Sequence, residues 1–119
     1  MNLEEIAKKI CAKGKGILAA DESTGTMDKR LKGVGVESTE QNRLPFRETL
    51  FISDAMKNYI SGVILFDETL KQVTSTGISI TALLEKNDSI VGIKVDKGAK
   101  QLAGSPKETV TEGLDGLRE

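Results

Sequence analysis

The chain has 119 residues, 38% of them apolar and 29% charged, with 17 Lys plus Arg against 18 Asp plus Glu. That balance suits one folded unit rather than a disordered chain, and it offers no basic footprint for nucleic acid. The aromatics (Phe46, Phe51, Tyr59 and Phe66) are too few for a base-stacking platform, no apolar run approaches the ~20 residues of a membrane span, and a complete eight-stranded α/β barrel of roughly 250 residues does not fit.

Leu3, Ile6, Ala7, Ile10 and Cys11 recur at helical spacing, with Glu4, Glu5, Lys8 and Lys9 on the other side. This predicts an amphipathic helix stopped by Gly14 and Gly16, with Cys11 packing into the core. The mixed acids and lysines of this segment do not form the apolar stretch of a signal peptide. The run Ile17 to Ala20 lacks alternation and reads as a strand buried on both faces, closed by Asp21 and Glu22. Ser23 to Thr26 is turn and cap chemistry, followed by a short helix from Met27 to Lys32 that Gly33 or Gly35 ends.

Ser38-Thr39-Glu40-Gln41 fits a capping box and predicts a helix from about Thr39 to Met56. Phe46, Leu50, Phe51 and Met56 are expected to face inward. Pro45 conflicts with this, because an interior proline costs about 3 kcal/mol. Either the helix bends there, or a new helix starts with Pro45 at its first position. Gly62 to Phe66 is a second buried strand closed by Asp67 and Glu68. A helical turn, a Thr/Ser/Gly loop (Thr74 to Gly77) and a helix ending near Lys86 follow. Ile90 to Val95 is a third strand, closed by Asp96 and Lys97. Gly98 to Lys107 reads as loop, and Val110 to Glu119 as the beginning of a helix.

GILAADE, GVILFDE and GIKVDKG each run from Gly through apolar residues into charge. Apolar strands alternating with helices indicate an α/β fold with a parallel sheet. Asp21, Glu22, Asp67, Glu68, Asp96 and Lys97 would then gather on the C-terminal edge, where α/β folds bind ligands. Asp21 and Glu22 could bind metal or move protons, or simply cap and solvate the rim. For Asp67 and Glu68 the solvated reading is favoured, since Glu68 can begin the next helix. Lys94 is an expensive charge within an apolar strand; it must reach a solvated interior, snorkel, or pair with an acid such as Asp21. Lys97 suits a phosphate oxygen or is a surface lysine. Thr26 and Arg30 could present a hydroxyl and a guanidinium to a phosphate. The chain has no histidine and one cysteine. This removes His-containing zinc sites, the Ser-His-Asp triad, the Cys-His dyad and any internal disulfide, and a reducing compartment is expected.

The segment GKGILAADESTGTMDKRL (Gly14 to Leu31) resembles class I fructose-bisphosphate aldolase. EST-EQNR (Glu37 to Arg43), SGVILFDETL (Ser61 to Leu70), GIKVDKG (Gly92 to Gly98) and TEGLDGLRE (Thr111 to Glu119) extend the resemblance in order along the chain. It implies the N-terminal part of a (β/α)₈ barrel, about three parallel strands with intervening helices, as one domain over residues 1–119 that does not close by itself. It further implies cleavage of fructose 1,6-bisphosphate through a lysine Schiff base, without metal or cofactor, in a cytoplasmic glycolytic homotetramer. By position, Asp21 resembles the aspartate that assists C–C cleavage at the substrate hydroxyls, and Lys97 the strand-three lysine near the substrate phosphate. Arg30 resembles a phosphate-binding arginine. Thr26 stands where the family commonly has Ser, and Glu22 and Ser23 have supporting roles. Pro45 departs from the family pattern. The Schiff-base lysine, the glutamate acid/base and the strand-four lysine belong to family segments outside these residues, so the chain alone is expected to be inactive. The competing expectations are a non-catalytic fragment that associates with barrel subunits and, more weakly, another Schiff-base barrel enzyme acting on phosphorylated sugars.

Overall fold

The structure, a computed structural model, describes residues 1–115. Helix α1 (Leu3–Ile10) starts in a full capping box. The Asn2 side chain accepts from the Glu5 amide and the Glu5 carboxylate accepts from the Asn2 amide, both at 2.9 Å. The helix ends before Gly14 is reached, with Cys11 at its C-cap. Cys11 is exposed, which corrects the expectation that it packs into the core. It shares its side of the helix with Leu3 and Ala7, which are exposed too, while Ile6 and Ile10 take the inner side.

Strands β1 (Gly16–Ala20), β2 (Ile60–Leu65) and β3 (Ile90–Ile93) form one parallel sheet in the order β1-β2-β3. Between β1 and β2 lie helices α2 (Thr24–Gly33), α3 (Glu40–Phe51) and α4 (Asp54–Tyr59); between β2 and β3 lie α5 (Asp67–Leu70) and α6 (Ile80–Lys86). The expected α/β order is therefore present, and the sheet is open. Its register aligns Ala20 with Leu65 and Leu65 with Ile93, so all three strands stop at one level. The helices cover one face of the sheet. Ala20, Val63 and Leu65 from the strands pack there with Phe51, Met56, Ile80 and Leu84 from the helices. Each such aliphatic or aromatic side chain contributes roughly 1.5–3 kcal/mol on burial. The alternation of β1 turns Ile17 and Ala19 to the other face, where both are exposed. This corrects the reading of that strand as buried on both faces.

Helix α3 differs from its prediction in three ways. Its N-cap is Thr39, whose side chain accepts from the Asn42 amide, not Ser38. It runs unbroken through Pro45, and the break comes at Ile52 and Ser53 instead. Proline leaves the carbonyl four residues back without its amide partner; that residue, Gln41, is exposed. The buried face is also not the expected one. Helix positions advance about 100° each, so Arg43, Leu44, Arg47, Glu48 and Phe51 share one arc. Phe46 and Leu50 fall outside it and are 38% and 42% exposed.

The stretch read as a loop from Gly98 holds an antiparallel hairpin, β4 (Ala99–Leu102) and β5 (Ser105–Thr111), turning at Gly104, whose φ is +78°. Val110 and Thr111 belong to β5, which overturns the expected helix start there. β-Branched Thr109, Val110 and Thr111 favour the extended chain. Residues 116–119 of that expectation lie outside the described residues. The hairpin base is clamped to the end of the sheet. The Lys97 amide donates to the Glu112 carbonyl at 2.8 Å. Gly113, at φ +115°, lies so close to Val95–Lys97 that a Cβ there would sit 2.5 Å from the Lys97 nitrogen.

Two substitutions test this packing. Phe51→Ala should cost about 3–5 kcal/mol in urea unfolding, and Phe46→Ala much less, because only Phe51 leaves a cavity. Gly113→Ala should unfasten the hairpin base, read as faster hydrogen exchange of the Lys97 amide with the β1–β2 amides unchanged.

Candidate functional site

The common level of the strand ends gathers the charged rim. Asp21 follows β1, Phe66-Asp67-Glu68 follows β2, and Lys94 follows β3, its amide donating to the Leu65 carbonyl at 2.8 Å. Lys94 thus continues the ladder one residue past the strand. Its ammonium lies 2.6 Å from an Asp96 oxygen and 3.5 Å from Asp21 Oδ2. The other Asp96 oxygen accepts from the Gly98 amide at 3.0 Å. Of the alternatives open in the sequence, Lys94 takes the acid pair. Hydrogen bonding to Asp96 raises the Lys94 pKa, and the same bond from Lys94 lowers that of Asp96. An ammonium flanked by two carboxylates is therefore held charged beside Asp21.

Lys97 lies farther along, exposed, at the hairpin base. Among the described residues its ammonium makes no ion pair. The lysine brought to Asp21 is Lys94. Lys97 stands at the outer edge of the same rim.

Ser23, Thr26 and Arg30 sit on or before α2. Ser23 is the N-cap, its hydroxyl accepting from the Thr26 amide at 3.4 Å and lying 3.2 Å from the Thr26 hydroxyl. Here the capping role is the one realised. Arg30 reaches back to pair with the Glu22 carboxylate rather than standing free beside Thr26. Among the described residues Asp67 pairs only with exposed Lys71, one helical turn on, which is the solvated role expected of it.

Behind the rim lies a layer of buried charge that the sequence reading did not single out. Arg43 clasps Glu68 with two bonds of 2.9 and 2.6 Å and donates to the Ser38 carbonyl at 2.7 Å. Arg47, 1% exposed, donates to the Thr69 hydroxyl at 2.7 Å and to the Glu22 carbonyl at 2.5 Å, with the Phe66 ring 6.0 Å from its guanidinium carbon. Burial lowers the Arg47 pKa, against the pull of Glu22 and Glu68; a guanidinium nonetheless stays charged. Glu48 closes the layer, accepting from the Ser75 amide and hydroxyl. Charged side chains are almost never fully buried unless paired, so composition points the other way. The available signal was the spacing of Arg43, Arg47 and Phe51, one turn apart on one helix arc. Among the described residues, no three His, Cys, Asp or Glu side chains gather as a metal site.

A parallel β/α sheet whose strands end together at a lysine–carboxylate rim is the opening part of a (β/α)₈ barrel. The family described as fructose-bisphosphate aldolase class-I matches residues 2–119, and the chain belongs to it. A probable fructose-bisphosphate aldolase class 1 of Xanthomonas campestris is 54% identical over 116 residues, covering 98% of this chain and 35% of that protein. A fructose-bisphosphate aldolase of Schistosoma mansoni is 55% identical over 117 residues, covering 98% and 32%. The Plasmodium falciparum fructose-bisphosphate aldolase, solved in complex with TRAP and a small-molecule inhibitor, superposes with a TM-score of 0.89 at 45% identity, over 95% of this chain and 33% of its own. The chain thus spans about one third of the length of the curated relatives it matches.

The Arg43–Glu68 clasp sets a pH dependence. Hydrogen bonding from Arg43 lowers the Glu68 pKa below the free value of about 4.3. Its stabilisation is complete above that value and is lost as pH falls through the lowered folded pKa. The melting-temperature gap between the parent chain and Glu68→Gln should therefore be widest near neutrality and close below about pH 4.

Proposed function

We propose that this chain supplies the first three strands and the Asp21 side of the active site of an aldolase cleaving fructose 1,6-bisphosphate into dihydroxyacetone phosphate and glyceraldehyde 3-phosphate. The observation that carries this is the Asp21–Lys94–Asp96 cluster at the strand-end rim, in a chain with relatives above 50% identity that bear the aldolase name. In this reading a lysine elsewhere in the barrel forms a Schiff base with the substrate ketone. The C3–C4 bond breaks, its electron pair moves into the iminium, and the C4 hydroxyl gives up its proton as the aldehyde forms. Asp21, held by Lys94, lines the hydroxyl-bearing part of the substrate. Lys97 gives the rim positive charge toward phosphate, and Arg30 adds a guanidinium once it turns from Glu22. Glu22 and Ser23 support this loop, and Thr26 adds a hydroxyl. The enzyme works in glycolysis, in the cytoplasm, as a homotetramer.

The exposed sheet face around Ile17 favours a second reading, in which the chain acts by associating with barrel subunits. A monodisperse monomer in size-exclusion chromatography would count against it.

The test joins residues 1–115 to the remaining two thirds of the Xanthomonas campestris relative and follows bisphosphate cleavage in a coupled assay. The joined enzyme should turn over, and Asp21→Asn should lower kcat by about 10²–10⁴-fold. The chain alone should show no turnover. A folded joined enzyme that neither cleaves nor is trapped by borohydride with dihydroxyacetone phosphate would overturn the reading.

A further inference from the structure

We propose that Arg47 is a positioning residue for the aldol cleavage: its buried guanidinium ties the end of β1 to the end of β2 and so holds Asp21 at its working position. This rests on the aldolase reading for its catalytic part, while the tether itself does not.

Arg47 sits on α3, on the helix-covered side of the sheet, and does not reach the rim itself. Its two terminal nitrogens reach the segments that follow two different strands. One donates to the Glu22 carbonyl, so it grips the backbone next to Asp21. The other donates to the Thr69 hydroxyl in α5, the short helix that follows β2. Thr69 is fully buried, so this leg is fixed in place. The Glu22 and Glu68 carboxylates lie 3.8 and 4.0 Å away and neutralise the charge. Arg30 then pins Glu22 from the other side, and Arg43 pins Glu68.

A buried charge is costly, and replacing an entire buried ion pair by apolar residues is often neutral or better for stability. The planar fork offers two divergent donors that an apolar side chain lacks and an ammonium cannot place together. The Arg47 Nε has no partner among the described residues. The side chain thus leaves one donor unmet while meeting the two that join the strand ends. That arrangement suits alignment of the rim better than stability. Loss of one leg would let the Asp21–Glu22 backbone drift, and misplacement by about 1 Å costs roughly 10²-fold in rate.

The joined enzyme described above provides the test, with Arg47→Met, Arg47→Lys and Thr69→Val. Both Arg47 variants should lose about 10²-fold in kcat for cleavage with KM little changed, and Thr69→Val should fall between them and the parent. Borohydride trapping with dihydroxyacetone phosphate should persist, since the trapped lysine lies elsewhere in the barrel. Ile80→Val, a core substitution remote from the rim, should lower the melting temperature without lowering kcat. In every protein, hydrogen exchange of the Thr26 and Met27 amides, which donate to Ser23, is followed as well. It should quicken in the Arg47 variants whether or not the joined enzyme turns over. An inactive parent with quickened exchange would sink the aldolase reading and leave the tether standing. Unchanged exchange, or folded Arg47 variants with parental kcat, would overturn the proposal. So would a kcat loss matched by Ile80→Val at equal loss of melting temperature.

Discussion

The register of three parallel strands is the constraint from which the remaining geometry follows. Ala20, Leu65 and Ile93 are register partners across the sheet, so β1, β2 and β3 run out at the same height. Parallel pairing gives every strand the same direction, and equal height places the next residues of each on a common rim. Asp21 and Lys94 are 73 positions apart in the chain and meet there. A slip of one residue in either pairing would send one of them to the helix-covered face. The apolar cluster behind the sheet prevents such a slip, because Ala20, Val63 and Leu65 would then leave the core.

That core is smaller than the sequence suggests, because helix α3 contributes charge as well as apolar surface. Arg43, Arg47 and Glu48 occupy positions where a helix of this length would ordinarily put Leu or Ile. They are tolerated because every one has an acidic, hydroxyl or carbonyl partner from a different element. Hydrogen-bonded charge is directional, whereas apolar contact is not. The layer therefore sets where the loops after β1 and β2 stand relative to each other. The same choice explains how Pro45 survives inside α3. Arg43, Arg47 and Glu48 around it are anchored on the buried arc, and Gln41, whose carbonyl it strands, is an exposed residue.

The β4–β5 hairpin follows a different logic. Its strands are exposed, and two strands alone are marginally stable. Its order derives from its base, where the Lys97–Glu112 bond and the close approach of Gly113 to Val95–Lys97 fasten it to the end of β3. Only glycine accepts both that φ and that distance. The loop bearing Lys97 is thereby a fixed part of the rim.

The alternation of apolar runs and helical stretches was enough, by itself, to establish three parallel strands and a charged C-terminal edge. Those properties depend on local periodicity and on the short range of helix caps. The motif around Asp21 likewise carried the family. The sequence named Asp21 as a partner for Lys94 but left two other outcomes open, a solvated interior and snorkelling. The ladder bond from Lys94 to Leu65 decides it, and that bond depends on β2. Nor could it show the buried arc of α3, because Phe46 and Leu50 satisfy hydrophobic spacing as well as Arg43 and Arg47 violate it. Partners 22 to 25 residues away, Thr69, Glu68 and Glu22, turn that helix so that its arginines face in. Local pattern determined the elements; pairing between distant residues determined which side of each element the chemistry occupies.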